Sequence, residues 1–364
     1  MKIMYLLFSF TIGGTERLVA DMCNEMVELE QEIHLYIVNN LISDELLKTL
    51  DDRVHVYTQK RECGSGNKLS VLWNLAQYIK NEKIELIHCN SFNAPELLLL
   101  SKIISPKIKV VHTIHGMGQY KTLSKLRVFF RNRLCDAFIG ISETVKNDII
   151  YEGADPQKTV MIYNGIQIRK YECAKYKLFD KSNIKIGCVA RIMPKVKGQD
   201  VLLNAVPMLV KRYKDIKVEF AGGIAAEEVA EYMKMQNYVQ DNYIGENVQF
   251  LGNVEDIPKF LNTIDILVVP SRSEGFGLAL LEGMSMGVPC IVSNVDGPAE
   301  LVKNEKIGVL FPSEDAVALS ECIIQVVENY EIYKNIAWRR RKELTDKYSI
   351  GTMCAHLLQL YTEI

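Results

Sequence analysis

Glu274-Gly275-Phe276-Gly277-Leu278-Ala279-Leu280-Leu281-Glu282 places two carboxylates eight positions apart across a turn that contains two glycines. The run before it, Asp265 to Pro270, is short, almost continuously apolar and rich in β-branched residues, the pattern of a strand buried on both faces of a parallel sheet. Gly275 and Gly277 let the backbone turn sharply and leave amide N–H groups uncovered. Leu278 to Met286 then has helical spacing until Gly287 and Pro289 stop it, and Cys290 to Val292 begins the next strand. A strand, turn, helix and strand in this order put the turn at the carboxyl end of the sheet, where open α/β folds bind ligands, and aim free helix-N-terminal amides at an anion. Glu274 stands at the mouth of that turn and Glu282 about one turn inside the helix. A carboxylate accepts hydrogen bonds from vicinal hydroxyls, so one of the pair can hold a ribose diol and the other a hexose diol.

Working outward, the same unit repeats along the chain. Strand patterns near Ile3–Phe8, Ile33–Val38, Val54–Tyr57, Ile84–His88, Ile108–Ile114, Ala137–Ile141 and Thr159–Tyr163 alternate with helical segments, and a second series runs through Ile184–Ala190, Lys217–Ala221, Val248–Leu251, Asp265–Val269, Pro289–Val292 and Val309–Phe311. Alternation of this kind predicts parallel, doubly wound sheets. With 364 residues the chain exceeds one compact core and suits two domains. The expected division is an α/β domain over 1–166, a polar linker without clear period over 167–183, a second α/β domain over 184–345, and a terminal segment over 346–364 that crosses back onto the first domain. Two such domains leave a cleft at the carboxyl ends of their sheets, a preferred ligand position.

Composition narrows the function class. With 48% apolar and 24% charged residues the chain is globular, and a net charge of −2 argues against a dedicated nucleic-acid binder. The nine cysteines, at 23, 63, 89, 135, 173, 188, 290, 322 and 354, form no C-x-x-C pair, so they read as small core residues in a reducing cytosol, with no zinc site or disulfide framework. The apolar start, Met1 to Phe10, is cut short by Gly13 and Gly14, and no apolar run reaches about 20 residues, the length needed to span a membrane. A cytoplasmic protein is expected, with room for peripheral contact with a membrane.

Further candidate residues fall on loops at the expected ligand end. Gly13-Gly14 follows the first strand and opens a helix, which permits close backbone approach to a phosphate, although no G-x-G-x-x-G fingerprint is present. Arg191 and Lys197 follow the first strand of the second series and could clamp a diphosphate without a metal. His112 and His115 end a strand three positions apart; His115, at the strand exit before Gly116, is the site candidate and His112 structural. Asn253, after the strand 248–251, could face a base edge. Gly297 and Pro298 set the turn of Val295–Glu300, where Glu300 caps or charges the next helix start. Between Leu97 and Cys135 there is no acidic residue; Lys121–Arg133, interleaved with Leu123, Leu126, Val128, Phe129 and Phe130, reads either as a basic amphipathic helix drawn to anionic lipid or as an ordinary half-buried helix with a solvated face.

Taken as a set, Gly13-Gly14-Thr15-Glu16-Arg17, His115-Gly116, Asn164-Gly165-Ile166, Arg191 with Lys197-Gly198, Glu274 to Glu282 and Gly297-Pro298-Ala299-Glu300 resemble the retaining glycosyltransferases of family 4 over nearly the whole length. The resemblance implies the GT-B architecture, two Rossmann-like domains facing a cleft. It also implies a hexosyltransferase that moves a hexose or N-acetylhexosamine from a nucleoside-diphosphate sugar, expected to be a UDP-sugar, to a glycan or lipid-linked saccharide in surface polysaccharide synthesis, with no cofactor and no metal. By the same resemblance Glu274 would hold donor-sugar hydroxyls, Glu282 the ribose, and Arg191 and Lys197 the diphosphate, aided by amides of Gly14, Phe276, Gly277 and Leu278, with His115 beside the sugar. The spacing from Arg191 to Lys197 departs from the family's by one residue, which leaves Lys195 as an alternative to Lys197. A sugar-nucleotide 2-epimerase or a non-catalytic sugar-nucleotide binder would share the architecture and stay open as alternatives.

Overall fold

A computed structural model of the protein describes residues 1–62 and 68–364; of the cysteines, Cys63 lies outside the described residues. Seven parallel strands, β1 (Lys2–Leu7), β2 (Glu32–Asn39), β3 (His55–Arg61), β4 (Leu86–Cys89), β5 (Lys109–Ile114), β6 (Ala137–Gly140) and β7 (Thr159–Met161), form one sheet in the order β3-β2-β1-β4-β5-β6-β7. Six more, β8 (Lys185–Val189), β9 (Lys217–Ala221), β10 (Val248–Gly252), β11 (Ile266–Val269), β12 (Cys290–Ser293) and β13 (Val309–Phe311), form a second parallel sheet in the order β10-β9-β8-β11-β12-β13. Every strand read from the sequence is present. The central strands are the uniformly apolar ones: β11 and β12 are buried at every position, as is β1 beyond its first residue. In each sheet the strand order reverses once, between β1 and β4 and between β8 and β11, and each reversal opens a crevice at the carboxyl ends of those strands.

Met1–Gln167 together with Tyr348–Ile364 make one compact unit, and Ile168–Lys347 the other. The first unit's core gathers β1 and β2 side chains with the helix Gly14–Glu28 and with Met353, Cys354, Leu357 and Tyr361 of the terminal helix Ile350–Glu363. That helix starts with Ser349 accepting from the Thr352 amide at 2.9 Å, an ordinary N-cap. Its approach requires Gly165: a Cβ there would run into the backbone of Ser349 and Ile350. Ile166 pairs with Ser349 beside it, so the Asn164-Gly165-Ile166 run serves to seat the terminal segment.

The stretch expected to link the two halves is packed along most of its length against the second unit. The Lys175 amide donates to Asn262 Oδ1 at 3.0 Å, Lys177 Nζ meets Asp265 Oδ1 at 2.8 Å, and the Phe179 ring stacks on Tyr330 with centroids 3.9 Å apart. In the helix Lys125–Leu134 the cations do not form one solvated face, because Arg131 turns inward and is fully buried. Among the described residues, no helix is long and apolar enough to cross a membrane.

Candidate functional site

The loops that leave β8, β11 and β12 carry the second unit's candidate residues, and these three strands are neighbours in the sheet. After β8, Ile192 is held by its amide to the Gly223 carbonyl at 2.9 Å, and a short helical turn, Pro194–Lys197, ends at Gly198. This turn sends its two lysines in different directions. Lys197 pairs with Glu274, and both side chains are about one-fifth exposed (22% each), whereas Lys195 reaches outward to Glu231 at 3.1 Å and is 76% exposed. Arg191 is exposed and has no ion-pair partner among the described residues.

After β11, the loop turns at Gly277, whose φ of +92° is a conformation that residues with a side chain rarely adopt. The helix Leu278–Ser285 begins there without a side-chain cap, so the first amides of its opening turn are left uncapped at the carboxyl end of the strand. Phe276 is 1% exposed and anchors the turn in the core. Glu274 and Glu282 lie on either side of this helix start; the Tyr171 hydroxyl donates to Glu282 Oε1 at 2.9 Å. Asn253 is exposed immediately after β10, its side-chain oxygen lying against Gly223 at the exit of β9.

Three residues that sequence reasoning passed over set this geometry. Arg272 makes a bidentate pair with Asp200 at 2.7 and 2.9 Å, bonds Glu314 at 2.6 Å and the Pro194 carbonyl at 2.6 Å, and so ties the Lys197-bearing turn to the Glu274 loop. Asp296 accepts from the Glu274 amide at 3.2 Å. The helix after β12 begins at Asp296, so Glu300, expected at the helix start, lies beyond its first turn; Asp296 is the one that meets the dipole and the carboxylate loop. Tyr171, in the aperiodic stretch, is the third. Arg272 stands two residues before Glu274 and Asp296 directly before Gly297-Pro298, which were the available signals; Tyr171 had none.

In the first unit, Gly13 caps the helix Gly14–Glu28 without a side-chain bond, at the exit of β1. His115 follows β5 and is half-buried, with Nε2 3.1 Å from Asn90 Oδ1 at the exit of β4. Burial pushes its pKa down to about 4, so the ring is neutral at physiological pH. His112 is fully buried with both ring nitrogens unpartnered among the described residues, packed near Phe92 and Phe138, and burial holds its pKa well below the usual range. His88 bridges Thr113 and Tyr361, both at 2.6 Å, with burial pushing its pKa down to about 3. The one group of His, Cys, Asp and Glu with closely spaced ligand atoms among the described residues is Glu32, His34 and His55 on β2 and β3, where Glu32 already pairs with Lys2 at 2.6 Å.

Two doubly wound parallel units with carboxylates, cations and helix-start amides gathered at a switch point define the GT-B class of sugar-transferring enzymes. A solved structure of this fold, the Anabaena protein HepE in complex with UDP and glucose, superposes with a TM-score of 0.83 at 20% identity and covers all of both chains. Residues 12–170 match the model of glycosyltransferase family 4 and residues 172–343 that of glycosyl transferases group 1. The chain therefore belongs to the family 4 glycosyltransferases and is an enzyme of the hexosyltransferase kind. Among relatives, the capsular polysaccharide biosynthesis glycosyltransferase CapM of Staphylococcus aureus is 24% identical over 334 residues, 86% of each chain. The UDP-Gal:alpha-D-GlcNAc-diphosphoundecaprenol alpha-1,3-galactosyltransferase of Escherichia coli is 26% identical over 347 residues, 89% of each chain.

Proposed function

We propose that the protein is a retaining glycosyltransferase that moves a hexose or N-acetylhexosamine from a UDP-sugar to a hydroxyl of a glycan or lipid-linked saccharide, on the cytoplasmic side, in cell-surface polysaccharide synthesis. The observation that carries this reading is the Lys197–Glu274 pair beside the helix start Gly277–Leu278, within the carboxylate frame completed by Glu282. The names of the S. aureus and E. coli relatives support the polysaccharide role and the choice of a UDP-sugar and a lipid-linked acceptor.

In this structure Lys197 and Glu274 neutralise each other. Arrival of a sugar diphosphate offers Lys197 a doubly charged partner and releases Glu274 to accept from hexose hydroxyls, while Glu282, already oriented by Tyr171, accepts from the ribose. Arg191, with no competing partner among the described residues, closes on the phosphates. The anomeric C1–O bond then breaks, positive charge spreads over the sugar ring and negative charge gathers on the leaving phosphate oxygen, which Arg191, Lys197 and the amides of Gly277 and Leu278 stabilise. The acceptor hydroxyl attacks C1 from the face the diphosphate leaves and passes its proton to that diphosphate, giving a glycoside of retained configuration and a nucleoside diphosphate. No carboxylate has to act as nucleophile, and rate comes from charge stabilisation and positioning.

The test is donor affinity and turnover of Arg191→Ala and Glu282→Gln, together with thermal stabilisation of the wild type by a panel of UDP-, GDP- and ADP-sugars. Loss of turnover in both variants and preferential stabilisation by a UDP-sugar are expected. Wild-type behaviour of both variants would remove the assignment.

A further inference from the structure

The helix Lys125–Leu134 is inside out relative to its composition. An ordinary half-buried helix would turn its aromatic residues inward and its cations to water. Here Val128, Arg131 and Leu134 face inward, while Leu126, Phe129 and Phe130 are 64%, 51% and 47% exposed. Arg131 fixes this roll: its Nε donates to Glu96 Oε1 at 2.8 Å, its Nη2 to Oε2 at 3.0 Å, and its guanidinium lies 4.3 Å from the Phe92 ring centroid. Arg127 adds a further bond to the same carboxylate at 2.9 Å. A helix pinned by a buried arginine cannot turn its phenylalanines inward without leaving Glu96 and Arg131 unpaired.

Adjoining elements also expose apolar side chains. The turn Pro95–Leu98 that carries Glu96 packs against it and leads into the helix Leu99–Ile104, which exposes Leu99 and, at 76%, Ile103. Lone exposed apolar residues are unremarkable, but a cluster on adjoining elements marks an interaction surface. Its charge says what it meets. Lys121 and Lys125 are exposed without ion-pair partners among the described residues, Arg133 lies over the Phe129 ring with its carbon 4.8 Å from the centroid, and no acidic residue occurs between Leu97 and Cys135. A second copy of the chain meeting this face through a twofold axis would set like charges against each other. An anionic lipid surface satisfies both features, with cations at the headgroups and aromatic rings at the acyl boundary.

We propose that this face docks peripherally on anionic bilayers, Leu126, Phe129 and Phe130 entering the headgroup boundary and Lys121, Lys125 and Arg133 binding lipid phosphates. The proposal deepens the reading of a lipid-linked acceptor and rests on it for its biological sense, but it is tested by binding alone. The full chain is floated with vesicles of phosphatidylcholine, pure or mixed equally with phosphatidylglycerol, beside the variants F129S/F130S and K121E/K125E, each checked for wild-type thermal unfolding. The wild type should float with the anionic vesicles only, less so at high salt, and each double variant should lose about tenfold or more of its partition. No flotation of the wild type at low salt, undiminished flotation of both variants, or a wild-type dimer that F129S/F130S dissolves would overturn it. Hydrolysis of the donor sugar in solution should be unchanged in both variants, so a failed transfer reading and a failed docking surface give different results.

Discussion

The two switch-point crevices share a topology and differ in chemistry. At the β8–β11 reversal charged side chains engage one another or a polar partner: Lys197 with Glu274, Arg272 with Asp200 and Glu314, Glu282 with Tyr171. At the exits of β4 and β5, beside the β1–β4 reversal, the histidines are neutral and sheltered, with His115 on Asn90 and His88 between Thr113 and Tyr361. Strand order alone therefore does not fix the chemistry of a crevice; the side chains of the exit loops do. The second unit holds paired charges at its reversal, and the first holds neutral histidines.

Removing a charge from the second crevice should have the largest effect. Lys197→Ala deletes the cation proposed for the leaving diphosphate and leaves Glu274 uncompensated, and turnover is expected to fall about 10²- to 10³-fold, as when an electrostatic donor to a developing anion is lost. Steady-state transfer or donor hydrolysis measures this. A change below tenfold would place the diphosphate elsewhere and erase the contrast between the crevices.

Next is the seat of the terminal helix. Gly165→Ala puts a methyl group against the backbone of Ser349 and Ile350, and overpacking against rigid backbone should lower stability by about 1–3 kcal/mol in urea unfolding. Wild-type stability would mean that the terminal segment yields at little cost.

Thirteen strands and their parallel, doubly wound arrangement were legible because buried parallel strands are largely apolar and announce themselves by composition; where the strand order reverses is known from the structure. The places that were not legible are those where structure is fixed by polar partners distant in sequence. Strand β3 runs on to Arg61 through Thr58, Gln59 and Lys60, an edge continuation with a register shift that no apolar alternation marks. Arg131 looked like one more cation on a basic helix, and its burial depends on Glu96, 35 positions away. The carboxylate pair could be read from the turn it flanks, but Arg272, Asp296 and Tyr171 act through contacts with residues 72, 22 and 111 positions distant, which no local pattern records.

The buried histidines predict an acid limit. His88 ordinarily titrates at 6.5, and burial holds it near 3 in the folded chain, so the unfolded state takes up the proton first as pH falls. Stability should be fully present above pH 6.5 and decline progressively from there toward pH 3, with His112 and His115 adding to the slope in the same direction. Thermal unfolding across this range checks it, and His88→Gln should flatten the curve. By the same argument His115, held at about 4, should give no inflection in turnover between pH 6 and 8. An inflection there that disappears in His115→Gln would show that this crevice carries charge after all.

A smaller effect is expected at Tyr171. Phe in its place removes one hydrogen bond to Glu282 without removing the carboxylate, and bonds to charged groups are worth about 1.5–3 kcal/mol when sheltered, less here because the pair is only part-buried. Donor KM should rise several-fold with turnover little changed, since a positioning residue acts on binding of the ribose; a loss of turnover equal to that of Glu282→Gln would give Tyr171 a larger part.

The smallest effect decides the identity of the phosphate cation. Lys195 and Lys197 lie two residues apart on one short turn, and local sequence favours neither strongly. The fold separates them: Lys197 turns to Glu274, while Lys195 extends outward to Glu231, which Lys234 also binds at 2.9 Å. Because exposed ion pairs contribute little and Glu231 keeps a second partner, Lys195→Ala should change turnover and donor affinity by no more than about twofold. If instead Lys195→Ala falls with Lys197→Ala, the turn must rearrange when donor binds, and the paired charges seen here describe only its resting arrangement.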